Sequence, residues 1–494
     1  MAIVHLTGVI SHQCRPCRPA DKPPFLSALS AQRKSVKNMN ETLFGGLYRL
    51  LAKNQLKELR AELSEMPYAD IAEFIDELDD DKLAVKIFRI LSKDISADVF
   101  AYLELDKQSV IVQSITDSEI ERLMDDLFLD DAVDFLEEVP ANIVRRVLAN
   151  TDKETRELIN RFLKYPENSA GSVMTIEMVE LHDRLTVAEA IKNIRRTGVD
   201  KETIYTCYVI DDGRHLVGTI PLRRLLLNEE DTLITDIMTD EEQLIFVKTM
   251  DDQEEVAALA KKYDLLSIPV VDTEDRLVGI ITIDDIVDII EEEATEDFEK
   301  MASLLPSEEG YLKTGVFELA KNRIGWLLIL MVTATFTGQI IEGFENQLAT
   351  IAGLTACIPM LMGTGGNSGN QASTLIIRGL ALGEVKIKDF FKVLWKEIRV
   401  SVMVGAILGI ANVLRMLIVR LATGSDVTNS VILVVSLSVV AVVIVSKTIG
   451  CTLPIIAKLL KLDPALMAGP LITTLVDAIS LIVYFGFARA FIPM

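Results

Sequence analysis

The feature that most constrains this chain is a series of long apolar segments that begins at residue 324 and continues almost to the C-terminus. Segments of about 20 apolar residues are long enough to cross a bilayer. Five can be distinguished, at 324–341, 348–377, 398–421, 431–457 and 466–492. Because lipid offers no hydrogen bonds to the backbone, each of them must be helical. The sequence therefore predicts a transmembrane domain of five helices over residues 321–494.

Charge separates the chain into two halves. Residues 310–494 contain nine acidic and fifteen basic side chains, whereas the preceding 309 residues contain 64 acidic and 35 basic ones. An acidic half argues against binding of nucleic acid and suits a surface that meets cations. Ordinary solubilising charge accounts for most of these acids, but not for clusters of acids in helical register.

The loops between the apolar segments predict an orientation. The stretch before the first segment, the loop 378–399 and the turn 458–464 carry lysines and arginines, whereas the turns 342–347 and 422–430 carry none. Basic loops stay in the cytoplasm. We expect the N-terminal half in the cytoplasm, the C-terminus outside, and the protein in the plasma membrane.

The acidic half divides again by pattern. Residues 40–165 show apolar positions at three- and four-residue steps, which predicts an all-α domain built as a solenoid or bundle of helix pairs. Residues 1–39 lack this periodicity, and we expect a disordered extension. Cys14 and Cys17 form a single CxxC there, which is weak evidence for a zinc site.

An internal repeat follows. The stretch YVIDDGRHLVGTIPLRRLLL (208–227) matches PVVDTEDRLVGIITIDDIVDII (269–290), and Met174-Thr175 and Met238-Thr239 open the two copies. Each copy predicts strand, helix, strand, turn, strand and helix. The arrangement resembles a tandem pair of CBS (cystathionine-β-synthase) domains, with an α/β copy at 170–232 and another at 233–292. A connecting helix over 293–320 would then lead to the membrane.

Two acids belong to the last apolar segment. Asp477 lies well inside it, where a charge costs at least about 2.5–3.5 kcal/mol and by default indicates a functional site. A neutral aspartate bonded between helices is the structural alternative. Asp463 lies at the start of the segment, where it fits equally well as the N-cap before Pro464.

The glycine-rich run LMGTGGNSGNQASTLII (361–377) is unusual for a membrane segment. Glycines let helices approach closely, and irregular backbone at membrane depth is tolerated only where it lines a cavity or is buried in protein. We interpret the run as a helix-packing and pore-lining element in which Asn367 offers an amide to the ion path.

The ordered set of features resembles the MgtE family of magnesium channels over residues 40–494, and its most specific motifs are PMLMGTGGNSGNQASTLIIR (359–378) and DPALMAGPLITTLVD (463–477). The resemblance implies a homodimer in the lipid bilayer, with Mg²⁺ as substrate and regulator and without enzymatic activity. It places Asp477 and Asn367 on the ion path, Asp463 at the pore mouth, and Glu293, Glu296 and Asp297 on a connecting helix that plugs the pore. Regulatory Mg²⁺ would bind the acids Asp252, Glu254, Asp264, Asp285, Asp288, Asp98, Asp130 and Asp134.

The implied mechanism is a gate that closes when cytosolic Mg²⁺ bridges these acids. The resemblance also raises an adenine nucleotide at the CBS pair, but Arg224 stands where a ribose-binding acid is common, whereas Thr282 and Asp285 are kept. Three alternatives stay open: a membrane-anchored Mg²⁺ or nucleotide sensor that conducts nothing, transport of Co²⁺, Mn²⁺ or Ni²⁺, and a CBS-regulated secondary transporter of another solute. The last would show an inverted repeat, and five unequal segments show none.

Overall fold

The structure is a computed structural model that describes residues 44–239, 241–307, 311, 314–344, 354–423, 428–467 and 469–491. The predicted extension 1–39, with Cys14 and Cys17, lies outside these residues. The chain divides into two compact units, one with residues up to Gln253 and Leu266–Thr282, the other with Glu254–Leu265 and Ile283 onward.

The N-terminal region is entirely helical in its described part. Its helices are α1 Gly45–Ala52, α2 Leu56–Leu63, α3 Tyr68–Asp76, α4 Asp81–Phe88, α5 Lys93–Ala101, α6 Leu105–Ser114, α7 Asp117–Asp126, α8 Leu129–Glu138, α9 Ala141–Asn150 and α10 Lys153–Phe162.

From α3 onward, each helix packs against the second helix after it, as α3 does on α5 and α8 on α10. This is the packing of a solenoid, which was one of the two predicted arrangements. Phe74, Phe100 and Phe135 form part of its core and are at most 3% exposed. The start of α7 carries a capping box between Thr116 and Glu119.

Two small sheets of matching topology follow. The first contains β1 Val179–His182, α11 Val187–Thr197, β2 Thr206–Ile210, β3 Leu216–Pro221 and α12 Leu222–Leu227. The second region contains β4 Val247–Lys248, α13 Gln253–Tyr263, β5 Ser267–Val271 and β6 Leu277–Thr282. In each sheet the first strand pairs parallel and the third antiparallel to the central one. The predicted CBS-type order of elements is confirmed.

The two copies interlock through their repeated motifs. A Cβ at Gly218 would lie 2.6 Å from the sulfur of Met238, and one at Gly279 would lie 2.8 Å from the sulfur of Met174. The opening Met-Thr of each copy thus packs on the LVG glycine of the other. The buried hydroxyl of Tyr208 also lies 2.6 Å from Oγ of Ser267 in the second copy.

A single helix, α14, runs from Ile283 to Met301 and crosses the boundary predicted at 292/293 between the second copy and the connecting helix. It ends where Ser303 adopts a left-handed conformation, with φ of +59°. Beyond this point the amide of Leu305 donates to the carbonyl of Asn322, in the following long helix, at 3.1 Å.

Five long helices form the C-terminal part: α15 Val316–Gly343, α16 Leu354–Ala381, α17 Phe390–Thr423, α18 Asn429–Leu459 and α19 Pro470–Phe491. Length and composition allow four of these helical regions to cross a membrane. The exception, α16, is just as long, but its glycines, asparagines and glutamine lower its mean hydropathy. The glycine-rich run is helical throughout, and the helix also contains Pro359, just before the run.

Helices α16, α18 and α19 share one apolar core that includes Leu361, Val435, Val439, Leu481 and Tyr484. The hydroxyl of Tyr484 donates to the carbonyl of Leu354 at 3.0 Å and so ties α19 to the start of α16. By contrast, α15 packs mainly on α19 and buries none of its residues within the protomer. Its apolar surface is therefore left for lipid or another chain.

Candidate ion path

The glycines of α16 make room for α19. A Cβ built at Gly366 would lie 2.9 Å from Cγ2 of Thr473, and one at Gly369 would lie 2.9 Å from Cγ2 of Ile472. Both contacts are closer than ordinary van der Waals distance, so side chains at these positions would separate the two helices. The interpretation of the run as a helix-packing element is confirmed.

One asparagine of the run faces α19, and it is Asn370 rather than Asn367. The amide nitrogen of Asn370 donates to Oγ1 of Thr473 at 3.2 Å. The amide oxygen of Asn370 is buried and receives no hydrogen bond from any described residue. The side chain of Asn367 is exposed on the protomer surface.

Helical spacing carries the signal that distinguishes the two asparagines. Asn370 follows Gly366 by four residues and therefore shares its face, which is the face that meets α19. Asn367 is rotated away from that face.

Asp477 lies one turn beyond Thr473 on α19, so that both side chains project from the same side of the helix. Its side chain is half-buried. Its Oδ1 atom is buried and accepts no hydrogen bond from the described residues. Neighbouring helices α16 and α19 thus each carry a buried oxygen that the described residues leave unsatisfied, a costly arrangement unless water, a proton or a cation meets it.

Asp463 has two partners at the turn before α19. Its Oδ1 accepts the amide hydrogen of Ala465 at 2.8 Å, which caps the 3₁₀ turn Pro464–Met467. Its Oδ2 lies 2.8 Å from Nζ of Lys300, and the same Nζ lies 2.6 Å from Oε1 of Glu296. Asp463 therefore both caps the turn and contacts α14, the connecting helix. Lys300 itself carries no signal in the sequence that would distinguish it from other helical lysines.

The surroundings of this turn perturb two pKa values. Burial, together with the Asp463 carboxylate, raises the pKa of Asp297. Burial by itself would lower the pKa of Lys300, but its hydrogen bonds to Asp463 and Glu296 outweigh that effect and raise it. Glu293 is half-buried one turn earlier on the same helix. The carboxylates of Glu296, Asp297 and Asp463 and the ammonium of Lys300 therefore lie near one another where α14 contacts the turn.

The remaining predicted acids are distributed over both units. In the first unit, Asp98 on α5 is half-buried and burial raises its pKa. Asp130 on α8 is 8% exposed, whereas Asp134 on the same helix is exposed. Asp252 is exposed just before α13.

In the second unit, Glu254 is exposed in the first turn of α13. Asp264 follows that helix with φ of +52°, a conformation that aspartate tolerates at helix ends. On α14, Asp285 is half-buried, and burial and the Asp284 and Glu291 carboxylates raise the pKa of Asp288.

Within the part of the chain that the structure describes, no three His, Cys, Asp or Glu side chains gather closely enough to hold a metal ion by themselves. In the CBS pair, Nη1 of Arg224 donates to the carbonyl of Ile237 at 2.9 Å. The side chain of Thr282 is buried. Binding of regulatory Mg²⁺ and of a nucleotide therefore stay predictions.

Comparison with protein families places each region of the chain. Residues 66–168 match the MgtE intracellular N domain, residues 170–230 and 234–292 match the CBS domain, and residues 358–487 match MgtE, described as a divalent cation transporter. Two of the solved structures that are similar to this chain cover about half of it. They are the soluble part of a magnesium transporter (33% identity, 52% of this chain and 99% of that chain, TM-score 0.49) and the cytosolic domain of the Mg²⁺ channel MgtE in complex with ATP (34%, 49% and 98%, TM-score 0.46).

Full-length relatives are similar throughout. The magnesium transporter MgtE of Thermus thermophilus is 34% identical over 91% of this chain and 99% of its own length. The magnesium transporter MgtE of Bacillus subtilis is 32% identical over 90% of this chain and 96% of its own length. Together with the family matches, these similarities show that the chain belongs to the MgtE family of transporters.

Proposed function

We propose that this protein is a Mg²⁺ channel of the plasma membrane, with Asp477, Asn370 and, as the sequence predicts, Asn367 on the ion path. One observation carries the proposal: facing helices α16 and α19 present buried side-chain oxygens of Asn370 and Asp477 that no described residue satisfies. A hydrated cation supplies what both atoms lack, since its water molecules donate hydrogen bonds and its charge offsets the carboxylate.

Mg²⁺ suits this arrangement for a chemical reason. It prefers oxygen ligands, dehydrates reluctantly and is usually bound through one or two carboxylates while it keeps several waters. A single aspartate per protomer cannot enclose a bare ion. The relatives that are named magnesium transporters support the same substrate.

We further propose that the channel is a homodimer with the path at its two-fold axis. Symmetry would bring two Asp477 carboxylates to opposite sides of one hydrated ion. The basic loops support an orientation with the N-terminal half in the cytoplasm and the C-terminus outside. The membrane potential then drives a divalent cation inward with about 4.6 kcal/mol per 100 mV.

Ion flux into proteoliposomes tests the path. Asp477→Asn keeps the size of the side chain and removes its charge, and we expect it to abolish Mg²⁺ flux. Thr474→Val is the matched control, since the Thr474 hydroxyl donates to the Pro470 carbonyl of its own helix at 2.9 Å. Unchanged Mg²⁺ flux in Asp477→Asn would remove the assignment. Parallel measurements with Co²⁺, Mn²⁺ and Ni²⁺ decide whether the channel is selective for Mg²⁺ or general for divalent cations.

We propose in addition that cytosolic Mg²⁺ closes the channel. Acids on α14 and in the cytosolic domains repel one another when Mg²⁺ is scarce, and bound ions relieve this repulsion. Each ion acts only through its difference in affinity for the closed and open states. The rise in the pKa of Asp288 on α14, caused by burial and by neighbouring carboxylates, supports this view.

Neutralising the acids of α14 tests the gate. We expect Asp285→Asn combined with Asp288→Asn to leave Mg²⁺ flux high when internal Mg²⁺ is high, because fewer ions can bridge the closed state. Glu230→Gln removes an exposed acid elsewhere in the CBS pair and should preserve closure. Normal closure in the double variant would refute the gating proposal.

A further inference from the structure

The C-terminal turn of α14 is docked on the turn Pro464–Met467 by contacts of different kinds. Met301 packs against Ala465 and Ile377 in a small apolar cluster. The carbonyl of Met301 occupies the space that a Cβ at Gly469 would need, and Gly469 has a left-handed φ of +54°. Glycine at this position therefore permits the backbone of α14 to come this close.

Lys300 provides the polar part of the same docking. Its ammonium contacts Glu296 on its own helix and Asp463 on the turn, at 2.6 and 2.8 Å. The side chains of Lys300 and Asp463 are 20% and 29% exposed, so water screens this pair only partly. The ion pair with Asp463 joins the two elements, whereas the pair with Glu296 holds the lysine in position.

Charge explains why a cation is needed at this point. Glu296, Asp297 and Asp463 bring three carboxylates together where α14 meets the turn, and Lys300 is the cation that contacts two of them. Without it, like charges would oppose the docking. Since Oδ1 of Asp463 is engaged by the Ala465 amide, Oδ2 is the atom that both the ammonium and an incoming divalent cation would use.

We propose that Lys300 is a tethered cation that holds α14 on the 464–467 turn when no divalent ion is bound, and that Mg²⁺ takes over this role by competing with its ammonium for Asp463. This inference rests on the proposed gating by Mg²⁺ and adds a positioning residue to it. The strength of the Lys300–Asp463 pair then determines how far docking of α14 depends on Mg²⁺. A strong pair keeps a fraction of the channels closed even without the ion.

The test compares docking in EDTA and in saturating Mg²⁺, with the full chain in lipid nanodiscs. Hydrogen exchange of the backbone amides over residues 296–305 and 463–467 reports the docking. Lys300→Met removes the charge but keeps the length of the side chain. Lys300→Arg is the conservative variant that retains a cation. Lys461→Met removes an exposed lysine from the same turn region and serves as the matched control.

In EDTA we expect exchange in Lys300→Met to be roughly tenfold faster than in the wild type, because a hydrogen-bonded charge pair is lost. Lys300→Arg and Lys461→Met should exchange like the wild type. Saturating Mg²⁺ should restore protection in Lys300→Met, since the ion replaces the ammonium. Asp463→Asn, which keeps the capping oxygen, should reproduce the loss in EDTA and should add little to Lys300→Met.

Equal exchange of Lys300→Met and the wild type in EDTA would overturn the inference, as would an equal loss in Lys461→Met. So would a loss in Lys300→Met that Mg²⁺ leaves unrepaired while it still protects the wild type. The EDTA comparison requires neither ion flux nor closure. The exchange experiment can therefore contradict the role of Lys300 while the flux experiments support Asp477 on the ion path. The flux experiments can likewise contradict the role of Asp477 while the exchange experiment supports that of Lys300.

Discussion

A close backbone approach between α16 and α18 makes Gly450→Ala a sharp test of the helix packing. A Cβ at Gly450 would collide with the carbonyl oxygen of Gly369 and would lie 3.0 Å from its carbonyl carbon and 3.1 Å from its α-carbon. All three atoms belong to the backbone of α16. No side-chain rotation can relieve the clash, so α16 and α18 must move apart.

The size of the effect follows from opposing terms. Carbon–oxygen contacts between helices lie at about 3.3–3.6 Å, so the added methyl group requires a separation on the order of 1 Å. Overpacking of this kind typically costs about 1–3 kcal/mol. The better helix propensity of alanine returns about 1 kcal/mol. We expect a net loss in stability of up to roughly 2 kcal/mol relative to the wild type, and of about 1–3 kcal/mol relative to an alanine that gains the same propensity without a clash.

Thermal unfolding of the full chain in detergent measures this loss. Gly363→Ala is the matched control, because a Cβ at Gly363 meets no atom within 4 Å. That variant gains the same propensity without a clash and should unfold at the same or a higher temperature. If Gly450→Ala were as stable as Gly363→Ala, the close packing of α16 on α18 would be wrong.

Other predictions concern the ion path, the CBS pair and the connecting helix. Thr473→Val removes the hydroxyl that binds Asn370 and should lower Mg²⁺ flux by roughly fivefold at unchanged expression, since one hydrogen bond contributes about 1 kcal/mol; unchanged flux would contradict this. Tyr208→Phe leaves the buried Ser267 hydroxyl unsatisfied and should reduce the free energy of unfolding by about 1–2 kcal/mol, read from thermal unfolding against the wild type. Burial in the docked state raises the pKa of Asp297, so docking is favoured at low pH and this contribution is lost as pH rises through the raised pKa. Spin-label distances between α14 and α19 in EDTA should therefore shorten as the pH is lowered through the raised pKa of Asp297, and Asp297→Asn should weaken this dependence.

Patterns local in sequence determined the architecture of this protein. Apolar periodicity predicted the helical N-terminal domain, the repeat of the LVG motif predicted two sheets of equal topology, and the length of the apolar segments predicted five membrane helices. These features depend on hydrogen bonds and burial within a single element or between adjacent ones, so a sequence window contains most of the information. The acid within the last apolar segment was found in the same way, because charge in lipid is rare.

Only the tertiary structure decided the contacts that form between segments distant in the sequence. Helical spacing puts Asn367 and Asn370 on different faces of α16, but only the packing against α19 shows which of them binds Thr473 and which lies on the surface. Lys300 likewise resembles any helical lysine until Asp463, far along the chain, reaches its ammonium. The continuous α14 across the predicted domain boundary follows the same rule, since no local helix-breaking residue marks that boundary. The sequence alone determined which elements form. The three-dimensional packing decided which side chains those elements bring together, because such contacts join residues that are far apart along the chain and leave no periodic pattern in the sequence.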